Sequence, residues 1–165
     1  MKLDVIRTAR ELIGYKSPSL HSNVDVTRHV MGIARGLGFE IESVPYADDF
    51  GTPKLSMVAK LGRGTGGLSL MSHDDTVPAT VEDGWTSDPY KARIAGDKMY
   101  GRGACDMKGP LAATLCAAAR FKSADLKVPL YVMVTGDEER HAAGAKKLVQ
   151  HSKLFREASK GYGLI

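Results

Sequence analysis

Acidic and histidine side chains follow predicted strands of this sequence in a pattern that could bind metal ions. An HDD triplet at 73–75 follows a predicted strand at 68–72, and a DEE triplet at 137–139 follows another at 130–135. Asp106 lies in a glycine-rich segment between them. Open α/β sheets usually place their sites beyond the carboxyl ends of strands, and imidazole and carboxylate groups are ligands for zinc, cobalt or manganese. Each cluster alone is more typical of a solvated turn or helix start, so it is their shared placement that indicates a metal-dependent hydrolytic site.

The spacing within the clusters suggests different tasks for their members. A metal-bound histidine usually donates its other ring N–H to a carboxylate, and Asp75 faces the same way as His73 if the strand geometry continues past the histidine. Glu138 and Glu139 are adjacent, which suggests that one binds metal while the other accepts a proton from water. Two neighbouring carboxylates repel each other unless a cation is present. The residues alone do not decide which glutamate has which task.

Helices and strands alternate along the chain, which predicts an α/β sandwich. Apolar residues at helical spacing predict two N-terminal helices, the second with Asn23 or Asp25 as its N-cap and Gly38 as its end. Strands are predicted at 39–44, 55–61, 68–72 and 130–135, a hairpin at 90–100, helices at 107–121, 142–151 and 153–159, and the start of another strand at 163–165.

Residues 62–67 match the G-x-G-x-x-G pattern of dinucleotide-binding loops. Such loops need a helix directly after the glycines, whereas the segment that follows here, 68–72, has strand character. The glycine-rich segment is therefore predicted to be the turn of a β-hairpin that joins the strands at 55–61 and 68–72.

The composition argues against several classes of protein. The 165 residues carry 23 Lys and Arg against 19 Asp and Glu, a net charge of +4 without a basic block, which gives no reason to expect nucleic-acid binding. The chain is 43% hydrophobic and 25% charged, and no apolar run reaches the ~20 residues of a membrane span. Two cysteines, Cys105 and Cys116, do not indicate a disulfide framework. We therefore expect a cytoplasmic protein without a nucleic-acid or membrane partner.

The ordered motifs resemble those of the M20 metallopeptidase family, in particular its acetylornithine deacetylase and succinyl-diaminopimelate desuccinylase members. The resemblance runs over essentially the whole chain. It rests on HDDTVP at 73–78, WTSDP at 85–89, YGRG at 100–103, CDMKG at 105–109 and DEE at 137–139. It implies a three-layer α/β/α sandwich with a mixed central sheet, as the N-terminal part of an M20-type catalytic domain.

The resemblance also implies a role for each site residue. His73 would bind the first of two divalent metal ions, oriented by Asp75, and Glu139 would bind the second. Asp106 would bridge the two ions and be followed by a cis peptide bond, and Glu138 would be the general base. Zinc is the expected metal, with cobalt as the alternative. The expected reaction is hydrolysis of the amide bond of a small-molecule substrate, an N-acyl amino acid.

The resemblance implies that residues 1–165 are the first part of a longer enzyme. A lid or dimerisation domain, the rest of the catalytic domain and the remaining ligands would lie outside this chain, so we expect this part to be inactive alone and the full-length form to be a homodimer. Two alternatives stay open: a dipeptidase, carboxypeptidase or desuccinylase of the same family, and a non-catalytic binding module derived from it. Arg102 and Lys108 would either contact a substrate carboxylate or form structural pairs. His141 is expected near the surface and not among the ligands.

Overall fold

The computed structural model describes residues 2–164, without the side chain of Val81. A five-stranded sheet and a separate two-stranded hairpin are combined with five α-helices and two short 3-10 helices in the described residues. None of the helices within residues 2–164 combines the length and the apolar character that crossing a membrane requires. The elements are α1 (Val5–Gly14), α2 (Val24–Gly36), β1 (Glu40–Ala47), β2 (Pro53–Leu61), β3 (Leu68–His73), a 3-10 helix (Val81–Asp83), β4 (Arg93–Ala95), β5 (Lys98–Tyr100), α3 (Lys108–Ala118), a 3-10 helix (Ser123–Asp125), β6 (Leu130–Thr135), α4 (Ala143–His151), α5 (Lys153–Ala158) and β7 (Tyr162–Leu164).

The central sheet is mixed, with the strand order β1-β2-β6-β3-β7. β2 pairs antiparallel with β1 and with β6, whereas β3 pairs parallel with β6 and with β7. Every residue of β6 is buried, as expected for a central strand. Because β3 and β6 are parallel neighbours, their carboxyl ends meet at one edge of the sheet, where His73 is paired with Thr135.

The glycine-rich segment at 62–67 is not a hairpin turn, so the sequence-based prediction for it is wrong. β6 lies between β2 and β3, and Leu61 and Leu68 both pair with Leu130, from opposite sides. The segment therefore crosses the beginning of β6 instead of folding β3 onto β2. Gly67 has a φ of +91° and lies so close to the carbonyl of the residue before β6 that a Cβ would overlap it. Glycine at this position permits a close crossing of two backbones.

Helices cover both faces of the sheet, which confirms the three-layer α/β/α sandwich. On one face, α1, α2 and α3 pack against alternate residues of β2 and β6, among them Met57 and Val132. On the other face, α4 and α5 pack against the intervening residues, among them Val58 and Met133. Successive side chains of a strand point to opposite faces, so the continuous apolar character of these two central strands supplies both cores.

Two predicted elements differ from the structure in informative ways. β1 extends to Ala47, beyond the predicted strand at 39–44, and includes Pro45, which is tolerated because β1 is an edge strand. α2 begins after Asn23, one of the two predicted N-caps, but the Asn23 side chain makes no capping bond. Its amide donates to the carboxylate of Asp74 instead, which ties the start of α2 to the end of β3.

Candidate metal centre

Three side chains from separate parts of the sequence meet at the edge of the sheet. His73 is the last residue of β3, Glu139 lies in the loop after β6, and Asp106 comes two residues before α3. One ligand atom from each of the three lies within 4.8 Å of the other two. The parallel pairing of β3 with β6 accounts for the nearness of His73 and Glu139. The segment that leads into α3 adds Asp106 to them.

The imidazole of His73 is the buried member of this group. Its Nε2 lies 3.0 Å from Oδ1 of Asp106 and 3.7 Å from Oε2 of Glu138. The His73 side chain is 5% exposed, whereas those of Asp106 and Glu138 are 71% and 49% exposed. The peptide bond between Asp106 and Met107 is cis, as the resemblance implies. The imidazole nitrogen of His73 is therefore buried, whereas the neighbouring carboxylates of Asp106 and Glu138 are accessible to solutes.

Asp75 contacts both His73 and the glutamate pair. It faces the His73 ring through its backbone carbonyl, whereas the sequence predicts a contact through its carboxylate. Nδ1 of His73 lies 3.0 Å from the backbone carbonyl of Asp75 and 3.6 Å from its carboxylate, because β3 ends at His73 and the strand geometry does not continue. The carboxylate accepts the backbone N–H of Glu138 at 3.1 Å and that of Glu139 at 3.3 Å. It also accepts the hydroxyl of Ser19 at 2.7 Å. Asp75 therefore contacts the imidazole through its carbonyl and the glutamate pair through its carboxylate.

The electrostatics of the group favour a cation. Burial lowers the pKa of His73, but the neighbouring Asp75 and Asp106 outweigh this effect and raise it to about 9. Burial, and then the charge of Asp106, raises the pKa of Glu139. Burial acts against ionisation of Asp75 as well, but the neighbouring His73 ring and the hydrogen bond from Ser19 prevail and lower its pKa. A divalent ion would relieve the repulsion among these carboxylates.

The sequence profile of the peptidase family M20/M25/M40 matches residues 69–165, more than half of the chain, and this range includes all three members of the group. The chain belongs to this family. An acetylornithine deacetylase from Klebsiella pneumoniae (strain 342) is 40% identical over 134 residues, which make up 81% of this chain and 34% of that protein. The M20 chain thus spans about a third of the length of the curated relatives that it matches.

Solved M20 structures share the fold of this chain. Human carnosine dipeptidase 1 has a TM-score of 0.80 at 24% identity, over 96% of this chain and 37% of that one. A dinuclear metal-binding peptidase of the M20 family from Bacillus subtilis has a TM-score of 0.65 at 21% identity, over 96% of this chain and 41% of that one. At these identities the likeness establishes the architecture.

Asp74, the middle residue of the HDD triplet, does not join the other acidic side chains of this M20 chain. Its carboxylate is completely buried and accepts the hydroxyl of Thr27 at 2.6 Å and the amide of Asn23 at 2.8 Å. Burial raises the pKa of Asp74 to about 7. Asp74 thus connects the end of β3 to α2, while its two neighbours, His73 and Asp75, contact the site.

Arg102 and Lys108, two residues of the M20 motifs, both contact other parts of the protein. These contacts favour structural pairing over contact with a substrate carboxylate. Arg102 forms an ion pair of 2.8 Å with Asp83 and donates to the Pro78 carbonyl at 3.0 Å. Lys108 is fully buried and donates to the Tyr15 carbonyl at 2.6 Å. Burial lowers the pKa of Lys108 to about 8. Within the described residues, neither cation makes a hydrogen bond or an ion pair with His73, Asp106 or Glu139.

The sequence-based reasoning missed two polar residues that support the M20 site. Ser19 is buried and donates to Asp75 from 56 residues away, and no motif marks it. The Lys54 side chain is 1% exposed and donates to Asp137, the residue before the glutamate pair. The one signal for Lys54 in the sequence is its place directly before the apolar run of the predicted strand at 55–61. His141 is exposed and lies outside the ligand group, as expected.

Proposed function

We propose that the protein containing this chain hydrolyses the amide bond of an N-acyl amino acid, in a reaction that depends on two divalent metal ions. The observation that carries the proposal is the convergence of His73, Asp106 and Glu139 at the edge of the sheet. The specific reaction that we propose is deacylation of the acetylornithine deacetylase type. It is supported by the 40% identity to such an enzyme over 81% of the chain.

The donor set suits zinc or cobalt, since both ions accept imidazole nitrogen and carboxylate oxygen. Nδ1 of His73 faces the Asp75 carbonyl, which leaves Nε2, the nitrogen beside Asp106, for a metal. The dinuclear character of the Bacillus subtilis relative supports two ions in place of one. Catalytic zinc usually has three protein ligands, so we propose that residues other than the described ones complete the two sites.

Each member of the site then has one task. His73 and Glu139 would each hold one ion, and Asp106 would bridge them. A bound pair of divalent cations supplies Lewis-acid polarisation of the amide carbonyl. Glu138 is the proposed general base, as the resemblance to the M20 family implies, and its half-exposed carboxylate lies 3.7 Å from Nε2 of His73. It takes the proton of the attacking water and passes it to the leaving amine.

Asp75 has a positioning task in the proposed reaction. By accepting the backbone N–H groups of Glu138 and Glu139, it holds the general base and a metal ligand in one fixed orientation. Correct placement of reacting groups removes much of the entropic barrier to a reaction. The low pKa of Asp75 keeps the carboxylate ionised, so both acceptor oxygens are available.

The proposal is tested with protein expressed from its gene, stripped of metal and assayed after addition of zinc or cobalt. N-acetylornithine, N-succinyl-diaminopimelate and a dipeptide serve as substrates, so that the alternatives within the family are measured side by side. We expect metal-dependent release of acetate from N-acetylornithine that exceeds turnover of the other two. Metal binding without turnover of any substrate would indicate the non-catalytic alternative, and turnover that is independent of metal would contradict the proposal.

A further inference from the structure

We propose that Lys54 is a positioning residue for the glutamate pair at 138–139, acting through Asp137 and Ser19. This inference rests on the proposed function of those glutamates as general base and metal ligand. Lys54 lies more than 80 residues before the pair in the sequence and makes no hydrogen bond to either glutamate. Its effect is transmitted by hydrogen bonds that fix the turn from which both glutamates project.

Lys54 has all of its donors satisfied inside the protein. Its Nζ donates to the carbonyls of Ser19, at 2.5 Å, and His21, at 2.9 Å, and to Oδ1 of Asp137 at 2.5 Å. An ammonium group carries three N–H donors, so these three acceptors account for all of them. The side chain is 1% exposed, and a lysine so buried is tolerated only when its charge is paired. Its ion pair with Asp137 is therefore a fixed point in the loop after β6.

Asp137 is the residue at which the chain turns from β6 towards the glutamates. Its φ is +55°, in the left-handed region that residues other than glycine seldom adopt. While Lys54 binds one carboxylate oxygen, the hydroxyl of Tyr46 donates to the other at 3.2 Å. Burial, and then the charge of Asp137, raises the pKa of Tyr46, so the hydroxyl keeps its proton and continues to donate. Both oxygens are thus held, and the turn cannot relax without breaking one of these contacts.

Ser19 connects the two supports of the glutamate pair. Its carbonyl accepts from Lys54, and its hydroxyl donates to the carboxylate of Asp75. Asp75 in turn accepts the backbone N–H groups of residues 138 and 139. The glutamate pair is therefore held in two ways: Asp137, the residue before it, is fixed by its own contacts, and Asp75 binds the backbone N–H groups of the pair. Lys54 contacts Asp137 directly and is connected to Asp75 through Ser19.

The test compares two lysines of β2 that both form ion pairs. Lys54→Met keeps the aliphatic stem and removes the charge, and Lys60→Met does the same for a lysine that pairs with Glu157. In the metal-free chain, we expect the amide hydrogens of residues 138 and 139 to exchange about tenfold faster in Lys54→Met than in Lys60→Met, because a charge-assisted hydrogen bond is lost. We also expect cobalt affinity to fall by about 10–100-fold in Lys54→Met only.

A second set of variants guards against a simple loss of folding, since Lys54→Met leaves the buried carboxylate of Asp137 without its cation and also removes the ion pair of 3.8 Å with Asp48. The double variant Lys54→Met/Asp137→Asn removes both charges, and Tyr46→Phe removes a single hydroxyl. Faster exchange at residues 138 and 139 in these variants supports the positioning role. Unchanged exchange in all of them overturns it, whatever happens to the metal. If the wild-type chain binds no cobalt but exchange is still faster in the variants, the positioning role is supported and the proposed metal site is refuted.

Discussion

The backbone N–H of Glu138 donates to the carboxylate of Asp75, with 3.1 Å between the two atoms. Asp75 lies two residues after β3 and Glu138 three residues after β6, so this bond joins the carboxyl ends of two parallel strands. Glu139 makes a similar bond to the other carboxylate oxygen. Because Asp75 also faces His73 through its carbonyl, a change at this residue is expected to disturb the histidine and the glutamates together.

Asp75→Asn is predicted to weaken metal binding. An amide nitrogen cannot accept a hydrogen bond, so one of the two backbone N–H groups loses its partner. We expect the cobalt affinity of the metal-free protein to fall by about 10–100-fold, as for other residues that orient metal ligands. Absorption titration measures this affinity. Asp83→Asn is the control, because Asp83 pairs with Arg102 and is outside the ligand group. Equal cobalt affinity of Asp75→Asn and the wild type would contradict the role of Asp75.

The two adjacent glutamates are predicted to respond differently to the same substitution. Glu138→Gln removes the proposed general base and should lower kcat by about 10²–10⁴-fold, with cobalt still bound. Glu139→Gln removes a proposed ligand and should weaken cobalt binding itself. Each variant is measured by a cobalt titration and by turnover of N-acetylornithine. If Glu138→Gln loses the metal and Glu139→Gln keeps it, the two roles are assigned the wrong way round.

His73 is predicted to keep its proton well above neutral pH in the metal-free chain. Its pKa is about 9 in the folded state against 6.5 for the free side chain. The protonated imidazole therefore contributes stability that is fully present below about pH 6.5 and is lost as the pH rises through about 9. NMR titration of the ring should show the shifted pKa, and added zinc should release the proton and abolish the titration. A ring that titrates below pH 7 would contradict this.

Gly144, near the start of α4, is predicted not to tolerate a side chain. A Cβ there would overlap the carbonyl of Gly136 and the hydroxyl of Ser56, so Gly144→Ala should lower the free energy of unfolding by about 1–3 kcal/mol. Gly32, in the interior of α2, has nothing within 4 Å of the same position, and Gly32→Ala should raise that free energy by about 0.5–1 kcal/mol. Urea denaturation measures both variants. Similar effects of the two substitutions would show that α4 does not pack closely on the end of β6.

Local patterns in the sequence predict elements well and predict strand neighbours poorly. β6 was predicted with both ends correct, because a continuous apolar, β-branched run is typical of a strand buried on both faces. The glycine content of the segment at 62–67 and its place between two strands predict a hairpin turn. The pairing of Leu61 and Leu68 with opposite sides of Leu130 depends on a strand more than 60 residues later, which turn chemistry does not encode.

The candidate site shows the same division between residue types and contacts. His73, Asp106 and Glu139 could be identified from their placement and from family motifs, and the structure brings them together. The contacts of Ser19 and Lys54 could not be predicted, because they span 56 and 83 residues and arise only when the sheet is assembled. Residue type alone also does not show that the two aspartates of the HDD triplet have different contacts. Asp74 binds side chains of α2 and its start, whereas Asp75 binds the backbone of the glutamate pair.

The claim that His73, Asp106 and Glu139 together bind a divalent cation is tested most directly by anomalous diffraction from crystals of the chain soaked in zinc. We predict a zinc peak about 2.0–2.2 Å from Nε2 of His73 and from a carboxylate oxygen of Asp106 or Glu139. Zinc bound elsewhere in the crystal, with no peak within bonding distance of His73, would contradict the assignment of this group as a metal centre.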